Sequence, residues 1–311
     1  EIAQCLVGSE MCIRDSCYKE NAFLAEDIRQ TVQNGVPLSE IAVLFRTNMQ
    51  PRALMEYMVS ANLAFQTKDR IPDIYEHWIA RDFFTYIRIA QGSDSRADFL
   101  SIMNRPKRYI GRDSLPDETV CFDEWMKLYE EQPWIAERIE KLWYDLKHLS
   151  RLSPYAAINY IRRGIGYDDY LAEYAEYQNA NKEDFYEVAD EILASAKGYR
   201  TFEEWFAHIE EYRQELKRLA QEKRRNQNAV TFATLHSAKG LEFTKVYLID
   251  VNEGVMPYKK AVLKQDVEEE RRLFYVGMTR AKESLTICSV KKMRGKEVEL
   301  SRFIKEAGKE P

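Results

Sequence analysis

Continuous apolar runs near both ends of the 311-residue chain constrain its fold more than any other feature. A strand that is apolar at nearly every position is typical of a parallel sheet with helices on both faces, because a solvated face would require alternating polar residues. The pattern therefore predicts a single α/β domain built on a parallel sheet. The runs are IAVLFR (41–46), AVTFATL (229–235), KVYLIDV (245–251) and LTICSV (285–290).

A long block with helical spacing separates these runs. From about residue 72 to residue 225 the chain is rich in Trp, Tyr, Glu, Lys and Arg, and its apolar residues recur at helical intervals, as at Trp205, Ile209 and Tyr212. Strands on both sides of a helical block indicate an α/β domain interrupted by an all-helical insertion. The predicted boundaries are 18–71 and 226–311 for the two parts of the α/β domain and 72–225 for the insertion.

Residues 1–17, EIAQCLVGSEMCIRDSC, show neither a helical nor a strand period. The segment CLVGSEMCIRDS resembles translated adapter sequence of the kind that contaminates assembled genomes. We therefore expect residues 1–17 to be foreign to the protein and to lie outside its fold.

Composition disfavours several classes of protein. No run of about 18 apolar residues is present, so the sequence predicts no membrane span. The five cysteines form no CxxC pair and the four histidines are scattered, which indicates a reduced cytoplasmic protein without a metal site. The net charge of −5 is atypical of a general nucleic-acid coat, although a local basic groove is compatible with it.

The loop TLHSAKGLEF (234–243) is unusually polar for a connection between two buried strands. Ligands of open α/β sheets usually bind at such loops, beyond the ends of the strands. Lys239 and Gly240 invite comparison with a phosphate-binding P-loop, but that motif requires GxxxxGK[ST], with a glycine ahead of the Gly-Lys pair. No such segment occurs in the chain, so the sequence predicts that the main triphosphate cradle lies elsewhere.

The segment EEERRLFYVGMTRAK (268–282) reads as a helix with acidic residues first and basic residues later, in agreement with the helix dipole. Arg280 lies seven residues after Leu273 and four after Val276, so the helical period predicts that all three share one packed face. An arginine on a packed face either pairs with a carboxylate or points across an interface at an anion. The spacing alone leaves both alternatives open.

Together and in order, TLHSAKGLEF, NEGVMPY (252–258) and EEERRLFYVGMTRAK resemble motifs V and VI of the UvrD/PcrA/Rep family of superfamily 1 DNA helicases. IAVLFRTNMQPRALMEYMV (41–59) is similar to the family's AVLYRTNAQSR segment, and IMNRPKRYIGRDSL (102–115) to IINxPxRGIGxxTL in its helical insertion. The resemblance covers the chain from about residue 18 onward. It implies an α/β fold with a RecA-like parallel sheet, a P-loop NTPase domain without the half that carries the P-loop.

The resemblance implies a division of labour between two motor domains. ATP binds between them, single-stranded DNA lies across their top, and the enzyme moves 3′ to 5′ along that strand. The N-terminal motor supplies the P-loop lysine and the carboxylates that bind Mg²⁺, so the magnesium ligands are expected outside this chain. The family's NYRS segment should precede residue 18 and is absent there, so we expect a second motor domain that is cut or mis-assembled at its N-terminus.

The resemblance also implies roles for individual residues. Arg280 matches the catalytic arginine finger that is directed at the γ-phosphate, where a cation stabilises the charge of the transition state. Glu242 and Gly240 match the nucleotide side of motif V. The residues that match positions facing DNA, or coupling it to the ATP cleft, are Arg46, Asn48, Thr234, His236, Lys239 and Tyr258.

Two positions depart from the family's pattern. Tyr258 stands where several relatives have histidine, and a tyrosine can still stack on a base. Tyr109 replaces the first glycine of GIG in the insertion, where a glycine allows close approach to duplex DNA. This replacement weakens the expectation of duplex contact by the neighbouring residues, for which a solvated face is the alternative. Those residues are Lys107, Arg108, Gly111 and Arg112.

Three functions are compatible with these features. The leading hypothesis is the C-terminal part of an ATP-dependent DNA helicase or translocase, inactive as an isolated chain. The second is a non-enzymatic DNA-binding module that has lost its ATP-binding half, although Arg280 and Glu242 would have no use in it. The third, the motor of a helicase–nuclease, is disfavoured because no acidic cluster follows residue 290. A P-loop encoded upstream of residue 18 would decide for the helicase.

Overall fold

The computed structural model of the chain describes residues 9–15, 17–69, 71–222, 228–293 and 296–306. The chain divides into two compact units. The first unit comprises Glu1–Pro72 and Glu211–Pro311, and the second comprises Asp73–Glu210. The second unit therefore begins one residue after the predicted start of the insertion at residue 72.

The strands of the first unit build a six-stranded sheet in the order β1-β6-β5-β2-β4-β3, and every neighbouring pair is parallel. A short antiparallel pair, β7 with β8, follows it. The strands are β1 (Ser9–Arg14), β2 (Ile41–Phe45), β3 (Phe65–Thr67), β4 (Val230–Thr234), β5 (Phe243–Leu248), β6 (Ala281–Val290), β7 (Lys292–Met293) and β8 (Lys296–Glu297).

Helices cover the sheet and build the second unit. In chain order they are α1 (Cys17–Gln33), α2 (Arg52–Ser60), α3 (Trp78–Ala90), α4 (Arg96–Ile102), α5 (Phe122–Lys127), α6 (Pro133–Leu149), α7 (Pro154–Arg163), α8 (Tyr167–Tyr177), α9 (Lys182–Ser195), α10 (Phe202–Glu222), α11 (Lys264–Met278) and α12 (Arg302–Glu306). None of the helices in the described ranges is both long enough and apolar enough to cross a membrane.

The sheet of the first unit is buried as the apolar runs predict. All five residues of β2 are buried, and so are the first four of β4. Side chains from the sheet and from α11 and α12 form an apolar cluster that includes Leu44, Val246, Phe274 and Phe303. Burial on both faces explains why these strands carry no alternating polar residues.

The structure differs from two expectations about the ends of the segments. The sequence predicts that the insertion ends at residue 225, whereas the compact units divide at Glu211, inside α10. The helical period continues through this point, so the sequence pattern does not mark it. The sequence also places residues 1–17 outside the fold, but Ser9–Arg14 forms the edge strand β1 on β6, from Ser9 opposite Leu285 to Arg14 opposite Val290. An edge strand needs only one neighbour, so a weak apolar pattern suffices there. Residues 1–8 lie outside the described residues.

The second unit is helical, as predicted, and it has a core of its own. Its fully buried large side chains are mostly aromatic, including Trp125, Trp205, Tyr86 and Tyr167. Buried Asp82 on α3 accepts hydrogen bonds from Arg105 Nη1 (2.8 Å) and from the Tyr167 hydroxyl (2.5 Å). These bonds join α3, the α4–α5 connection and α8, so polar groups fix the arrangement of the helices around the aromatic core.

Candidate functional site

The predicted site residues of the first unit lie at opposite edges of its sheet. Because all six strands are parallel, the loops that follow them leave from one edge, here called the carboxyl edge, and the residues that precede them lie at the amino edge. Arg46 follows β2 and His236 follows β4, so both are at the carboxyl edge. Glu242 immediately precedes β5 and Arg280 immediately precedes β6. The expected DNA side and the expected nucleotide side are therefore separated by the length of the strands.

Arg280 at the amino edge is held by neutral groups. Its Nε donates to the Val276 carbonyl (2.9 Å), its Nη1 to the Leu241 carbonyl (3.0 Å) and its Nη2 to the Thr279 hydroxyl (2.9 Å). Among the described residues, no carboxylate lies within ion-pair distance of it. A guanidinium carries five N–H donors, so two remain for another acceptor. Of the two alternatives that the sequence left open, the pairing with a carboxylate is wrong for the described residues.

The position of Arg280 also differs from the sequence expectation. Helix α11 ends at Met278, and Arg280 lies in the turn between α11 and β6 instead of on a helical face with Leu273 and Val276. The buried residues of α11 are Glu270, Phe274, Gly277 and Met278, whereas Leu273 and Val276 are only partly buried. The turn brings the main chain of Arg280 against β5, where its carbonyl accepts from Phe243 N (2.9 Å).

Gly277 allows α11 to pack closely on the sheet just before Arg280. A Cβ added at this position would lie 2.4 Å from Leu235 Cδ2 and 3.1 Å from Leu248 Cδ2. Both leucines are buried, so neither can move aside without repacking the core. Close packing at Gly277 thereby fixes how near the C-terminal end of α11 lies to the sheet. That end of the helix in turn positions Arg280.

The loop between β4 and β5 connects the two edges. Its residues His236, Lys239 and Glu242 are exposed, and the structure shows no ion pair of these side chains with a described residue. Gly240 adopts a φ of +85°, and a Cβ added there would meet no atom within 4 Å, so the backbone conformation and not a lack of space favours glycine at this position. The three exposed polar side chains are therefore available to ligands.

The start of the same loop is fixed by Asp69, which follows β3. The Asp69 carboxylate accepts from Thr234 N (2.7 Å) and from the Ser237 hydroxyl. Thr234 Oγ1 lies 3.1 Å from Ser237 Oγ and accepts from Ser237 N (3.2 Å). Thr234 is thus partly buried and already hydrogen-bonded within the loop, which makes it a weaker candidate for DNA contact than exposed His236.

Arg46 at the carboxyl edge is paired with Glu270 of α11. Arg46 Nε lies 3.0 Å from both Glu270 carboxylate oxygens, and Nη2 lies 2.8 Å from Oε1. Glu270 Oε2 also accepts from Tyr258 N (3.1 Å), and the Arg46 guanidinium carbon lies 5.3 Å from the centroid of the Tyr258 ring. Arg46 therefore holds the Tyr258 loop and α11 together, and only part of its guanidinium faces solvent.

The turn after β2 is closed by Gln50. Gln50 Oε1 accepts from Arg46 N (2.8 Å) and from Thr47 N (2.7 Å), and its Nε2 lies 3.4 Å from Asp250 Oδ2. Asn48 lies within this turn, and its Oδ1 is buried without a hydrogen-bond partner in the described part of the chain. A buried polar atom without a partner is unusual, so Asn48 has unused hydrogen-bonding capacity next to Arg46.

Helix α11 extends from the carboxyl edge of the sheet to its amino edge. Glu270 contacts Arg46 and Tyr258 at the carboxyl edge, and the helix then runs back to Met278, two residues before Arg280 at the amino edge. The axial distance between residues 270 and 278 is about 12 Å at the ordinary helical rise. A shift of α11 would therefore displace both groups of predicted site residues.

In the second unit, the predicted duplex-contact residues have different surroundings. Lys107 and Arg112 are exposed, and Gly111 is exposed and donates from its N–H to the Tyr129 hydroxyl (3.1 Å). Arg108 is only 7% exposed, and its guanidinium donates to the carbonyls of Ile102 and Met103 and to the Tyr86 hydroxyl. Arg108 thus stabilises the loop from inside and does not present its charge on the surface.

Sequence reasoning missed Glu270, Asp69 and Gln50. Glu270 could have been found, because it shares the spacing of buried Phe274 and Gly277 and so belongs to the packed face of α11. Gln50 had a signal too, since Thr47-x-x-Gln50 has the spacing of a capping box. Asp69 had none, because its role depends on β3 lying beside β4.

The fold agrees with that of a known family. A model of the UvrD-like helicase C-terminal domain matches residues 7–117 and 135–292. The chain belongs to this family. The UvrD-like domain has the predicted RecA-like parallel sheet of a second motor domain, which confirms the fold expected from the sequence.

Curated relatives of the UvrD-like domain are helicases by name. It is 27% identical over 300 residues to the putative ATP-dependent DNA helicase YjcD of Bacillus subtilis, covering 92% of this chain and 38% of YjcD. It is 28% identical over 305 residues to the ATP-dependent DNA helicase PcrA of the same organism (89% and 40%). The match to the ATP-dependent DNA helicase Rep of Salmonella typhimurium is 27% over 303 residues (88% and 44%). The chain thus spans about two fifths of the length of these relatives.

The amino edge offers little to a resident metal ion. Within the described ranges, no three His, Cys, Asp or Glu side chains are grouped so that they could hold a metal ion. Two carboxylates there are Glu242, which is exposed, and Glu40, which already pairs with Thr244 and Lys282.

Proposed function

We propose that this UvrD-like domain is the second motor of an ATP-dependent DNA helicase or translocase that moves 3′ to 5′. In this proposal it supplies the arginine finger Arg280 and part of the single-strand track. The N-terminal motor of the same protein is its partner and supplies the P-loop and the Mg²⁺ ligands. Single-stranded and duplex DNA are the polymeric ligands, and the cytoplasm is the expected location.

The environment of Arg280 carries this proposal. The guanidinium is fixed by three hydrogen bonds to neutral acceptors, and no described carboxylate neutralises it. A fixed cation with unused donors is suited to an anion whose charge grows in a transition state, because no reorganisation is needed at that moment. Leu241, whose carbonyl orients Arg280, lies between Gly240 and Glu242 in the sequence. ATP is the anion that the relatives' names indicate.

The carboxyl edge suits a single strand of DNA. It combines the exposed imidazole of His236, the side chain of Asn48 and the Tyr258 ring, whose centroid lies 5.3 Å from the Arg46 guanidinium carbon and 5.9 Å from Lys260 Nζ. Neutral donors and a few cations can hold phosphates without reading sequence, and an aromatic ring can stack on any base. Lys239 would add a charge from the loop that connects the two edges.

Two preparations test the proposal against a DNA-binding module. The 311-residue chain alone should show no DNA-stimulated ATP hydrolysis, since its sequence contains no GxxxxGK[ST] segment. The same chain joined to the N-terminal motor of its protein should hydrolyse ATP when single-stranded DNA is added. Hydrolysis by the chain alone would contradict the division of labour, and a joined protein that binds DNA without hydrolysing ATP would favour the non-enzymatic module.

A further inference from the structure

The helical second unit carries a surface feature that the proposed motor function does not use. Two aromatic side chains, Tyr109 (57% exposed) and Trp134 (48% exposed), lie side by side with ring centroids 6.4 Å apart and planes at 67°. The Arg138 guanidinium carbon lies 5.2 Å from the Tyr109 centroid and 5.0 Å from the Trp134 centroid, and Lys107 Nζ lies 4.9 Å from the Tyr109 centroid. These four residues are called the aromatic–cation patch below.

The loop that presents Tyr109 is firmly built. Asn104 Oδ1 accepts from Arg108 N (3.2 Å) and from Ile110 N (3.1 Å), and Asn104 Nδ2 donates to the Ile110 carbonyl (2.8 Å). Both chain neighbours of Tyr109 are thereby held, and both are buried. Arg138 is held as well, because its Nη1 donates to the Arg108 carbonyl (3.1 Å). The exposure of the Tyr109 ring is therefore a property of a fixed loop.

The backbone of Tyr109 is strained. Its φ of +59° lies in the left-handed region, which a bulky residue rarely adopts and glycine adopts easily. A residue kept in such a conformation is held there by its surroundings, and such positions cluster at sites that bind ligands. The tyrosine gains no burial in return, since more than half of it faces solvent. Its ring is thus placed outward at a cost to the fold.

A cationic cavity lies beside the patch. It has a volume of about 210 Å³, and its charged lining consists of Lys107, Arg108, Arg138 and Lys141 with one carboxylate, Asp145. Asp145 accepts from the Tyr160 hydroxyl (2.7 Å), so part of its hydrogen-bonding capacity is used inside the unit. The Arg108 guanidinium is already used by internal acceptors, so the cations left for a ligand are Lys107, Arg138 and Lys141. Three cations against one carboxylate make the cavity complementary to an anion such as a phosphodiester.

We propose that the aromatic–cation patch binds an unpaired nucleotide of single-stranded DNA. The base stacks on the exposed Tyr109 ring and meets the inclined Trp134 ring at its edge, and the adjoining phosphate contacts the cations that line the cavity. Duplex DNA offers phosphates but hides the faces of its bases in the stack, so two exposed rings beside a cationic cavity fit a single strand better. The inference rests on the proposed function only in that DNA is the ligand.

Photo-crosslinking tests the contact directly. The full 311-residue chain is irradiated with a single-stranded oligonucleotide that carries 5-iodouracil, and the crosslinked peptides are identified by mass spectrometry. Crosslinks at Tyr109 or Trp134, absent when the same oligonucleotide is annealed to its complement, would support the proposal. Crosslinks confined to the first unit, for example at Tyr258, would overturn it and leave the proposed motor function standing. A chain that crosslinks nowhere would overturn this proposal together with the single-strand track.

Matched variants separate stacking from folding. Tyr109→Gly removes the ring and suits the left-handed backbone, so it should weaken single-strand binding by the full 311-residue chain about 5-fold to 150-fold, the equivalent of one stacked base. The melting temperature of this variant should not fall. Tyr109→Phe should keep most of the affinity, and Tyr177→Leu, a change at an 83% exposed tyrosine of the same unit, should keep all of it. Unchanged crosslinking and affinity in Tyr109→Gly would overturn the proposal.

Discussion

Arg46 donates three hydrogen bonds of 2.8–3.0 Å to the carboxylate of Glu270, which joins the end of β2 to the middle of α11. The same carboxylate accepts from the main chain of Tyr258. One buried carboxylate thus fixes two elements that were assigned to DNA from the sequence, on the helix that leads to Arg280. We expect this pair to be central to the integrity of the carboxyl edge.

The first prediction concerns the contribution of the Arg46–Glu270 pair to the stability of the domain. Glu270→Gln should lower the free energy of unfolding by about 1–3 kcal/mol, because Arg46 is left with a weaker acceptor in a largely buried place. Glu269→Gln is the matched control, since Glu269 is 70% exposed and pairs with exposed Arg272. Denaturant unfolding of both variants provides the measurement. If the two substitutions had equal effects, the Arg46–Glu270 pair would not stabilise the domain.

The second prediction concerns the close approach of α11 to the sheet. Gly277→Ala should destabilise the domain by about 1–3 kcal/mol, the usual cost of overpacking, because the new methyl group would meet Leu235 at 2.4 Å. Leu235→Ala removes the clashing atoms, so the double variant should be less destabilised than the sum of the two single variants. Simple additivity of the two changes would show that the packing at Gly277 is not tight.

The third prediction concerns Tyr258. In the complete enzyme, Tyr258→Ala should weaken binding of single-stranded DNA by about 1–3 kcal/mol, the worth of one stacked base. Tyr258→His should keep most of the affinity, because imidazole can stack as well. Binding should be insensitive to sequence and should fall with salt by about 0.7 logarithmic units per phosphate contact. Unchanged affinity in both variants would mean that Tyr258 only packs against Arg46.

The fourth prediction concerns the core of the helical unit. Burial raises the pKa of Asp82 above its ordinary value of 3.8, and the hydrogen bonds from Tyr167 and Arg105 oppose this shift only in part. The folded state therefore binds the proton more tightly than the unfolded state. The resulting stability is fully present below pH 3.8 and is lost as the pH rises through the raised pKa. Relative to Asp82→Asn, the wild type should thus gain stability on acidification from neutral pH; a constant difference between the two proteins would contradict the shift.

Most of the sheet could be predicted from the sequence, because the central strands of a parallel sheet are buried on both faces and therefore consist of continuous apolar runs. The edge strand β1 could not, since a strand with one neighbour needs no such run. The role of Asp69 could not be predicted either. Its contact with Thr234 depends on the order of the strands, which places β3 next to β4 across more than 160 residues of chain.

The sites were predictable in a different way. Arg280, Glu242 and the loop residues were assigned by resemblance, and only the sheet shows that they lie at opposite edges. The spacing in EEERRLFYVGM could have pointed to Glu270, whereas the surroundings of Arg280 could not be read from it, because the helix ends two residues earlier. Hydrogen bonds to main-chain carbonyls leave no trace in a sequence pattern.

The proposed role of Arg280 as an arginine finger is tested most directly by the turnover of the proposed full-length helicase, with this domain joined to its N-terminal motor. Arg280→Ala should lower kcat of DNA-stimulated ATP hydrolysis by about 10³-fold or more, with single-strand affinity and melting temperature little changed. Arg272→Ala, which removes a 75% exposed arginine of α11, should leave kcat unaltered. A normal kcat in Arg280→Ala, or a loss of kcat that is matched by a large fall in melting temperature, would contradict the assignment of Arg280 as the residue that acts on the nucleotide.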